Sequence, residues 1–321
     1  MGLRMTEDHT ELTFRYMRVG GRRENLIDFL IRRFRYLDRE QWIDNILNKR
    51  LLVDGGCAHP GQMLRDHQKI VYLRPDFMEP EVDENFEVIY EDESLISLNK
   101  PGNLPTSPSG KYFKKTLVNL VKKKFGWKKL YTLHRLDRET SGVILFAKQR
   151  RAAQKLASDF RKQNVQKIYT AILENSLPSD EVFVSMPIGP HPRSQIRIKQ
   201  SVVPEGRSCR THFRLKESLG HASKVEIRPY TGRTHQIRVH SQFIGCPVKG
   251  DKLYTLDDVG FVHWLNEGQA YLDRIGFSYR RQMLHALEIR FRHPVHDEEM
   301  ILRADDSKLK KELAELPSCS S

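Results

Sequence analysis

Two stretches of the sequence concentrate side chains able to do chemistry. The first, His134-Arg135-Leu136-Asp137-Arg138-Glu139-Thr140-Ser141-Gly142, runs directly into the apolar segment VILFAK. Asp137 has one arginine two positions before it and another immediately after it, a setting that favours the ionised carboxylate a nucleophile needs. The same pattern also serves as a plain structural ion pair, so Asp137 alone decides nothing. The second stretch is Thr231-Gly232-Arg233-Thr234-His235-Gln236-Ile237-Arg238-Val239-His240, continuing to Gly245-Cys246-Pro247-Val248 and Gly250-Asp251-Lys252-Leu253-Tyr254. If helical, it sets Arg233, Gln236 and His240 on related faces. Such a set is costly in an apolar core and suits either a polar site or a basic helix against nucleic-acid phosphate.

The elements around these stretches read as many short strands and few helices, which predicts an α+β fold over alternating βαβ units. Strands are expected at FEVIY, SLISLNK, GVILFAK, KIYTAILE, THFRLKES, SKVEIRP and HALEIRFRHP. Apolar residues at helical spacing predict helices over Thr116 to Phe125 and Arg150 to Arg161. Neither glycine-rich phosphate signature, G-x-G-x-x-G or G-x-x-x-x-G-K-[ST], occurs, so nucleotide-cofactor chemistry has no support. Cys57, Cys209, Cys246 and Cys319 are too scattered for a zinc spacing or a disulfide framework, and no metal site is expected.

Charge narrows the class of partner. The 321 residues carry 54 Lys and Arg against 41 Asp and Glu, a formal net charge of +13, which makes nucleic acid the leading partner. The excess is local: residues 100–171 are net +15 and residues 190–250 net +9, whereas residues 1–80 are only +2 and residues 81–99 are −7. No apolar run approaches the length of a membrane-spanning helix, and the polar start MGLRMTEDHTEL reads as neither signal nor transit peptide, so a cytoplasmic protein is expected. The lysines at 114, 115, 122, 123, 124, 128 and 129 are expected to touch phosphates along one helix edge, contributing affinity without base choice.

Upstream, Leu26, Phe29, Leu30 and Phe34 predict one helix, and Trp42, Ile43, Ile46 and Leu47 a second beginning after Asp38, a good N-cap. Strands are expected at LLVDGG and KIVYLRP. The arginines at 22, 23, 32, 33, 35 and 39 are equally compatible with solvated helix faces. This order of elements over residues 21–75 resembles the S-four type RNA-binding module first known from a ribosomal protein. It departs from that pattern at Asp38-Arg39 and at Asn48-Lys49-Arg50. The expected organisation is an N-terminal extension (1–20), this small α/β module (21–75), a linker (76–85), a large domain (86–305) and a C-terminal tail (306–321).

Taken together, the two chemical stretches resemble the signatures of the RluA-type pseudouridine synthases. HRLDRETSG is similar to their catalytic signature, and GRTHQIRVH followed by GCPVKGDKLY to their second long one. Asn99-Lys100-Pro101 through Pro105, Lys167-Ile168-Tyr169 and Leu284-His285-Ala286 resemble further family motifs, in family order across residues 86–305. The resemblance implies a mixed, mainly antiparallel sheet and isomerisation of uridine in RNA to pseudouridine. In that reaction the bond from ribose to the ring nitrogen breaks, the uracil turns, and a bond to ring carbon 5 forms, with no cofactor and no metal. It also implies roles: Asp137 as the carboxylate nucleophile, Arg238 as its salt-bridge partner with Arg233 second, and Tyr169 stacking on the target base. Arg135 would fill the place of the extruded uridine. His134, Lys100, Lys167, Gln236 and His285 are expected to bind substrate, although for Lys100 and Asn99 shaping the loop beneath Asp137 and merely sitting in a strand end are equally open.

The partner is expected to be a stem-loop of ribosomal RNA or tRNA, and the protein a monomer. Two other readings stand beside this one. A catalytically inactive RNA-binding or ribosome-assembly factor of the same fold would be expected to have lost its nucleophile, yet Asp137, Tyr169 and Arg238 are all present. A glycosylase using the same aspartate would want a second carboxylate to activate water. Residues Thr255 to Gln282 look like an insertion, either a lid or a packing flap.

Overall fold

A computed structural model describes residues 2–6, 9–18, 24–34, 37–75 and 79–314. The chain forms two compact units, Met1–Pro80 and Glu81–Ser321. Arg22, Arg23, Arg35, linker residues 76–78 and Cys319 lie outside the described residues.

In the first unit, β1 (Gly2–Thr6) and β2 (His9–Arg15) precede α1 (Leu26–Arg33) and α2 (Arg39–Leu47), and β3 (Leu51–Val53), β4 (Gly56–Cys57) and β5 (Lys69–Pro75) follow. The strands pair in the order β1-β2-β5-β3-β4. The segment expected to be an extension therefore belongs to the sheet. Its alternation Leu12, Phe14, continued by Tyr16 just past β2 and all buried, lays one face of the segment on the helices. α2 starts at Asp38, whose side chain accepts from the Gln41 amide while the Gln41 side chain accepts from the Asp38 amide, a closed capping box. Trp42 and Tyr72 meet edge to face at 5.0 Å across the core.

The second unit is built on a ten-stranded sheet. In chain order its elements are β6 (Glu87–Glu91), β7 (Leu95–Lys100), α3 (Leu117–Phe125), β8 (Tyr131–Thr132), β9 (Ser141–Ala147), α4 (Arg150–Arg161) and β10 (Gln166–Glu174). There follow β11 (Glu181–Val184), the separate hairpin β12 (Ile188–Pro190) and β13 (Gln200–Val202), β14 (Thr211–Ser218) and β15 (Ala222–Pro229). Next come α5 (Gln236–Phe243), α6 (Lys252–Thr255), α7 (Asp258–Glu267), α8 (Gln269–Arg274), β16 (Leu284–Arg292), β17 (Glu299–Arg303) and α9 (Ser307–Ala314). The order is β11-β14-β15-β10-β16-β9-β7-β6, with β17 on β16 and β8 on β9. The fold is α+β and the sheet mainly antiparallel.

One joint is different. β16 runs parallel to β9 through only two residue pairs, His285 with Ser141 and Ala286 with Gly142. Gly142 sits at φ +111°, and a Cβ there would fall 2.2 Å from the Ala286 carbonyl oxygen, so only glycine admits this approach. β9 is buried along its whole length, as a central strand covered on both faces should be. Leu117 and Val121 of α3, with Ala152 and Leu156 of α4, pack on this half; Ile237 of α5 packs on the other, with Phe213, Val225 and Ile227.

The strands β8, β11, β12, β13 and β17 were not expected; they are short or lack an alternating apolar pattern. The C-terminal segment expected as a tail begins as α9, where Leu309 is buried and Glu312 pairs with Arg281 at 2.7 Å. Among the described residues no helix is long and apolar enough to cross a membrane.

Candidate active site

Asp137 lies in the loop between β8 and β9, and that loop is clamped from below. Thr106 Oγ1 donates to the Leu136 carbonyl at 2.9 Å, and the Leu136 amide donates back to it at 3.2 Å. Lys100, fully buried at 0% exposure, spends its three ammonium protons on the carbonyls of Pro101, Leu104 and Arg138 at 2.8, 2.8 and 3.1 Å. Of its expected roles, the structure gives Lys100 the loop, in place of substrate binding or an idle strand end. Burial drives its pKa well down, and the carbonyl cage is what receives its protons.

The partner of Asp137 comes from α5. Arg238 donates from Nη1 to Asp137 Oδ2 at 2.8 Å. Its remaining edge is gripped by Asp251 in two bonds, Nε to Oδ2 at 2.6 Å and Nη2 to Oδ1 at 2.7 Å. Asp251 is 1% exposed in its side chain and also receives the Leu253 amide at the start of α6. The guanidinium lies 5.0 Å from the centre of the Tyr254 ring. Burial opposes its charge, but Asp251 and then Asp137 more than restore it, so Arg238 stays cationic. Two carboxylates and one bidentate guanidinium fix the position of the cation to within hydrogen-bond tolerance.

Asp137 is 26% exposed in its side chain and is held below the usual carboxylate range. Burial works against ionisation; at low pH, where the His235 ring is protonated, His235 and then Arg238 overcome it. His235 is itself pushed down to about 4, chiefly by burial, so it is neutral at pH 7 and Arg238 supplies the countercharge. The His235 ring sits at a residue of φ 55°, with Nδ1 2.9 Å from the Tyr254 hydroxyl and Nε2 3.9 Å from Asp137 Oδ2. Among the described residues nothing hydrogen-bonds to Asp137 Oδ1. One oxygen is pinned; the other is free.

These groups open into a cleft of about 800 Å³, and Asp137 is the single acidic residue among the described residues lining it. Its basic lining is Arg135, Arg161, Lys167, Arg207, Arg233 and Arg238. Tyr169 lines it from β10, where the register against β16 slips past Leu287 between Ile168 and Tyr169. Burial, then the charge of Asp137, raises the Tyr169 pKa, keeping the phenol protonated. Arg135 is exposed at the cleft, and Arg233 donates to the Ser208 carbonyl at 3.2 Å. Lys167 donates to the Thr231 carbonyl at 3.2 Å, and burial lowers it to about 8.

Three expected substrate ligands have other work. Gln236 touches the cleft, but its side chain is saturated: Oε1 accepts from Thr231 Oγ1 and the Arg233 amide, and Nε2 donates to the Arg210 carbonyl and Thr211 Oγ1. It shapes the loop that precedes α5. His285 is buried at the β9/β16 joint, 2.9 Å from Ser141 Oγ, away from the cleft lining. His134 accepts the Leu145 amide at 3.1 Å on Nε2 and stacks on Phe160, so its ring, lowered to about 3 by burial, is a neutral wall. The helix of the second signature begins at Gln236, which leaves Arg233 in the preceding loop and sends His240 inward to Thr211 and the Met186 carbonyl.

Asp251, His235 and Tyr254 were not assigned roles by sequence. The available signal was the GDKLY run, whose aspartate follows HQIR at a distance that only the turn after α5 converts into contact.

The rate should therefore be flat across the neutral range. Below the usual carboxylate range near pH 4, protonation of Asp137 removes the charge that pairs with Arg238, and the kcat of a reaction that uses this carboxylate falls. Above about pH 8 the buried Lys167 loses its proton, and KM for an anionic substrate in the cleft rises instead. Single-turnover and steady-state profiles from about pH 3 to 9 reach both limbs; a kcat limb centred near 6.5, the ordinary histidine value, would contradict the neutral His235.

Fold and site define the class. The human RNA pseudouridylate synthase domain containing 4 has the same fold at TM-score 0.52, with 26% identity over 72% of this chain and 94% of that one. The corresponding human domain containing 1 matches at TM-score 0.56, covering 75% of this chain and 99% of that one. A family model described as RNA pseudouridylate synthase matches residues 94–243. The ribosomal large subunit pseudouridine synthase D of Xanthomonas campestris is 32% identical over 287 residues, 87% of this chain and 84% of that protein. The ribosomal large subunit pseudouridine synthase C of Vibrio parahaemolyticus is 36% identical over 231 residues, 71% of this chain and 69% of that protein. The chain belongs to the RluA-type family of RNA pseudouridine synthases. It is an isomerase that converts uridine in RNA to pseudouridine.

Proposed function

We propose that Asp137 is the nucleophile of this isomerisation and that the target uridine lies in large-subunit ribosomal RNA. The observation that carries the first part is the division of labour within one carboxylate: Oδ2 is held by Arg238 at 2.8 Å, and Oδ1 faces no donor. An oxygen so placed is available to attack the anomeric carbon or uracil carbon 6, while the pinned oxygen keeps the attack direction. Tyr169 supplies a flat wall for the uracil ring while it turns. Arg135, exposed at the mouth, takes the place of the extruded base, and Lys167, Arg207 and Arg233 receive backbone phosphates. The unit Met1–Pro80 adds a further RNA contact of the S-four type. Hydrolysis of the same bond is disfavoured because, among the described residues, no second carboxylate lines the cleft; Glu139 is bound by Arg138 and Lys252, and Asp251 by Arg238.

The ribosomal target rests on the relatives named above for the large subunit. Pseudouridine mapping across total RNA, from cells with and without the protein, tests it. The expected result is loss of one or a few sites in large-subunit ribosomal RNA. Losses confined to tRNA would reassign the substrate.

A further inference from the structure

His235 is held in a conformation and a protonation state that the ion pair of Asp137 and Arg238 does not require. It stands immediately before α5 at φ 55°, a left-handed backbone conformation that residues with side chains rarely adopt and that gathers at functional sites. Its ring lines the cleft with 10% of the side chain exposed and lies edge to face with Tyr254, centre to centre at 5.7 Å. Tyr254 is the rigid side of that contact, buried among Ile188, Val239 and Phe261.

The hydrogen bonds fix which ring nitrogen carries the proton. The Gln200 amide donates to the Tyr254 hydroxyl at 3.1 Å, so this oxygen is already an acceptor. Burial raises the pKa of the phenol, and its own proton needs an acceptor; among the described residues His235 Nδ1, at 2.9 Å, is the one within reach. Nδ1 therefore accepts, and the neutral ring carries its hydrogen on Nε2. The far side of the ring selects the same tautomer. Nε2 is 3.9 Å from Asp137 Oδ2, and in the other tautomer its lone pair would face that carboxylate. The distance is too long for a hydrogen bond to Asp137, and among the described residues Nε2 has no other acceptor. A neutral donor is left free at the cleft, beside the carboxylate.

We propose that His235 Nε2–H is a catalytic hydrogen-bond donor to the uracil ring, meeting O2 as the glycosidic bond breaks and O4 after the ring has turned, and that Tyr254 positions it. This adds to the roles of Asp137 and Arg238 and rests on the isomerisation taking place in their cleft. When the bond from C1′ to N1 breaks, its electron pair stays with the uracil, and the charge spreads from N1 to O2 and O4. O2 is the carbonyl oxygen next to the breaking bond, the side on which a carboxylate acting there must stand. Half a turn about the line through N3 and C6 carries C5 to the place of N1, and with it O4 to the place of O2. One fixed donor therefore serves both ends of the rotation. A neutral donor suits the task. Arg238 and Arg135, with burial, outweigh Asp137 and Asp251 and hold the ring at about 4, so it stabilises the developing charge without protonating the ring before C5 can attack. Because Nε2 already holds a hydrogen, it does not receive the proton that C5 later releases.

The test uses the full chain and an RNA fragment containing the mapped uridine, in single turnover at saturating RNA. In His235→Asn the amide reaches only to the level of Nδ1, which keeps the contact with Tyr254 and tolerates the positive φ. In His235→Gln the amide reaches the level of Nε2. The Asn variant should lose about 10²-fold in rate with RNA affinity unchanged within about twofold, and the Gln variant should stay within about tenfold of the parent. Tyr254→Phe should cost about fivefold, the worth of one hydrogen bond, and nothing further when added to His235→Asn. With 2-thiouridine at the target, whose sulfur is a weak acceptor, the penalty of His235→Asn relative to the parent should shrink below about tenfold. A parent-like rate in His235→Asn, or a Gln variant as slow as the Asn variant, would overturn the donor. An undiminished penalty on the thio substrate would overturn the contact to O2, and a loss of RNA affinity matching the loss of rate would make His235 structural. If His235→Asn fails to fold, the same substrate comparison on Tyr254→Phe decides, its penalty vanishing on 2-thiouridine. Turnover surviving in Asp137→Asn would be recognised separately, as failure of the site assignment.

Discussion

An Asp137→Asn protein binds RNA with the affinity of the parent and forms no pseudouridine. The amide is nearly the shape of the carboxylate and can still accept from Arg238, so the cleft keeps its form. What disappears is the charge and the oxygen proposed to attack. The expected loss in single-turnover rate is about 10⁴-fold or more, the scale on which removal of an attacking group registers. Stability should barely move, since burial already penalises the charged form of Asp137 and Asp251 still balances Arg238. Tritium release from uridine-labelled RNA and a filter-binding curve, run on the same preparation, make the measurement. Turnover within tenfold of the parent would remove Asp137 from the nucleophile's role, and lost binding together with lost turnover would make the residue structural.

The second large effect is at Arg238, where activity and stability separate. Arg238→Met takes away the countercharge of Asp137 and strands Asp251, 1% exposed, without its cation. Breaking a buried ion pair from one side costs about 3–5 kcal/mol, which in a unit of this size lowers Tm by roughly 10 °C. Loss of the electrostatic anchor should cost about 10²- to 10³-fold in rate. The double variant Arg238→Met/Asp251→Leu removes both charges and should recover most of the Tm. The rate should stay as low as in the single variant, because Asp137 still lacks its partner. Recovery of rate along with Tm would mean that Arg238 acts on the fold alone.

How much of this could be read from the residues differs between the proposed nucleophile and its setting. The regular elements with strong periodicity were legible: Arg150–Arg161 is the helix its spacing predicts, and β14 is the THFRLKES strand. β2 was not, because the Leu12, Phe14, Tyr16 alternation that begins in it falls in a polar segment that looked like an extension. Asp137, Arg238 and Tyr169, expected together, do line one cleft. Lys100, Gln236 and His285 stand in the same kinds of motif yet face inward. A polar residue held by backbone carbonyls distant in sequence has the same local signature as one facing substrate, and only the fold tells them apart. Asp251 escaped for the converse reason. Its contact with Arg238 spans 13 residues around a turn, and a carboxylate beside a lysine and near many arginines offered several partners.

The parallel joint between β9 and β16 also sets the order in which the enzyme comes into being. Ser141 and His285 are 144 residues apart, and the two-pair seam they belong to is what links the β6–β9 half-sheet to the β10–β15 half. Asp137 leads into one half; Tyr169 and Arg238 belong to the other. Until β16 has been synthesised and inserted, the halves share no ladder, and the loop closure it demands is among the longest the chain makes. A nascent chain therefore displays a basic, RNA-attracting surface well before it owns a complete catalytic centre, and competence arrives in one late step when the last central strand is laid in.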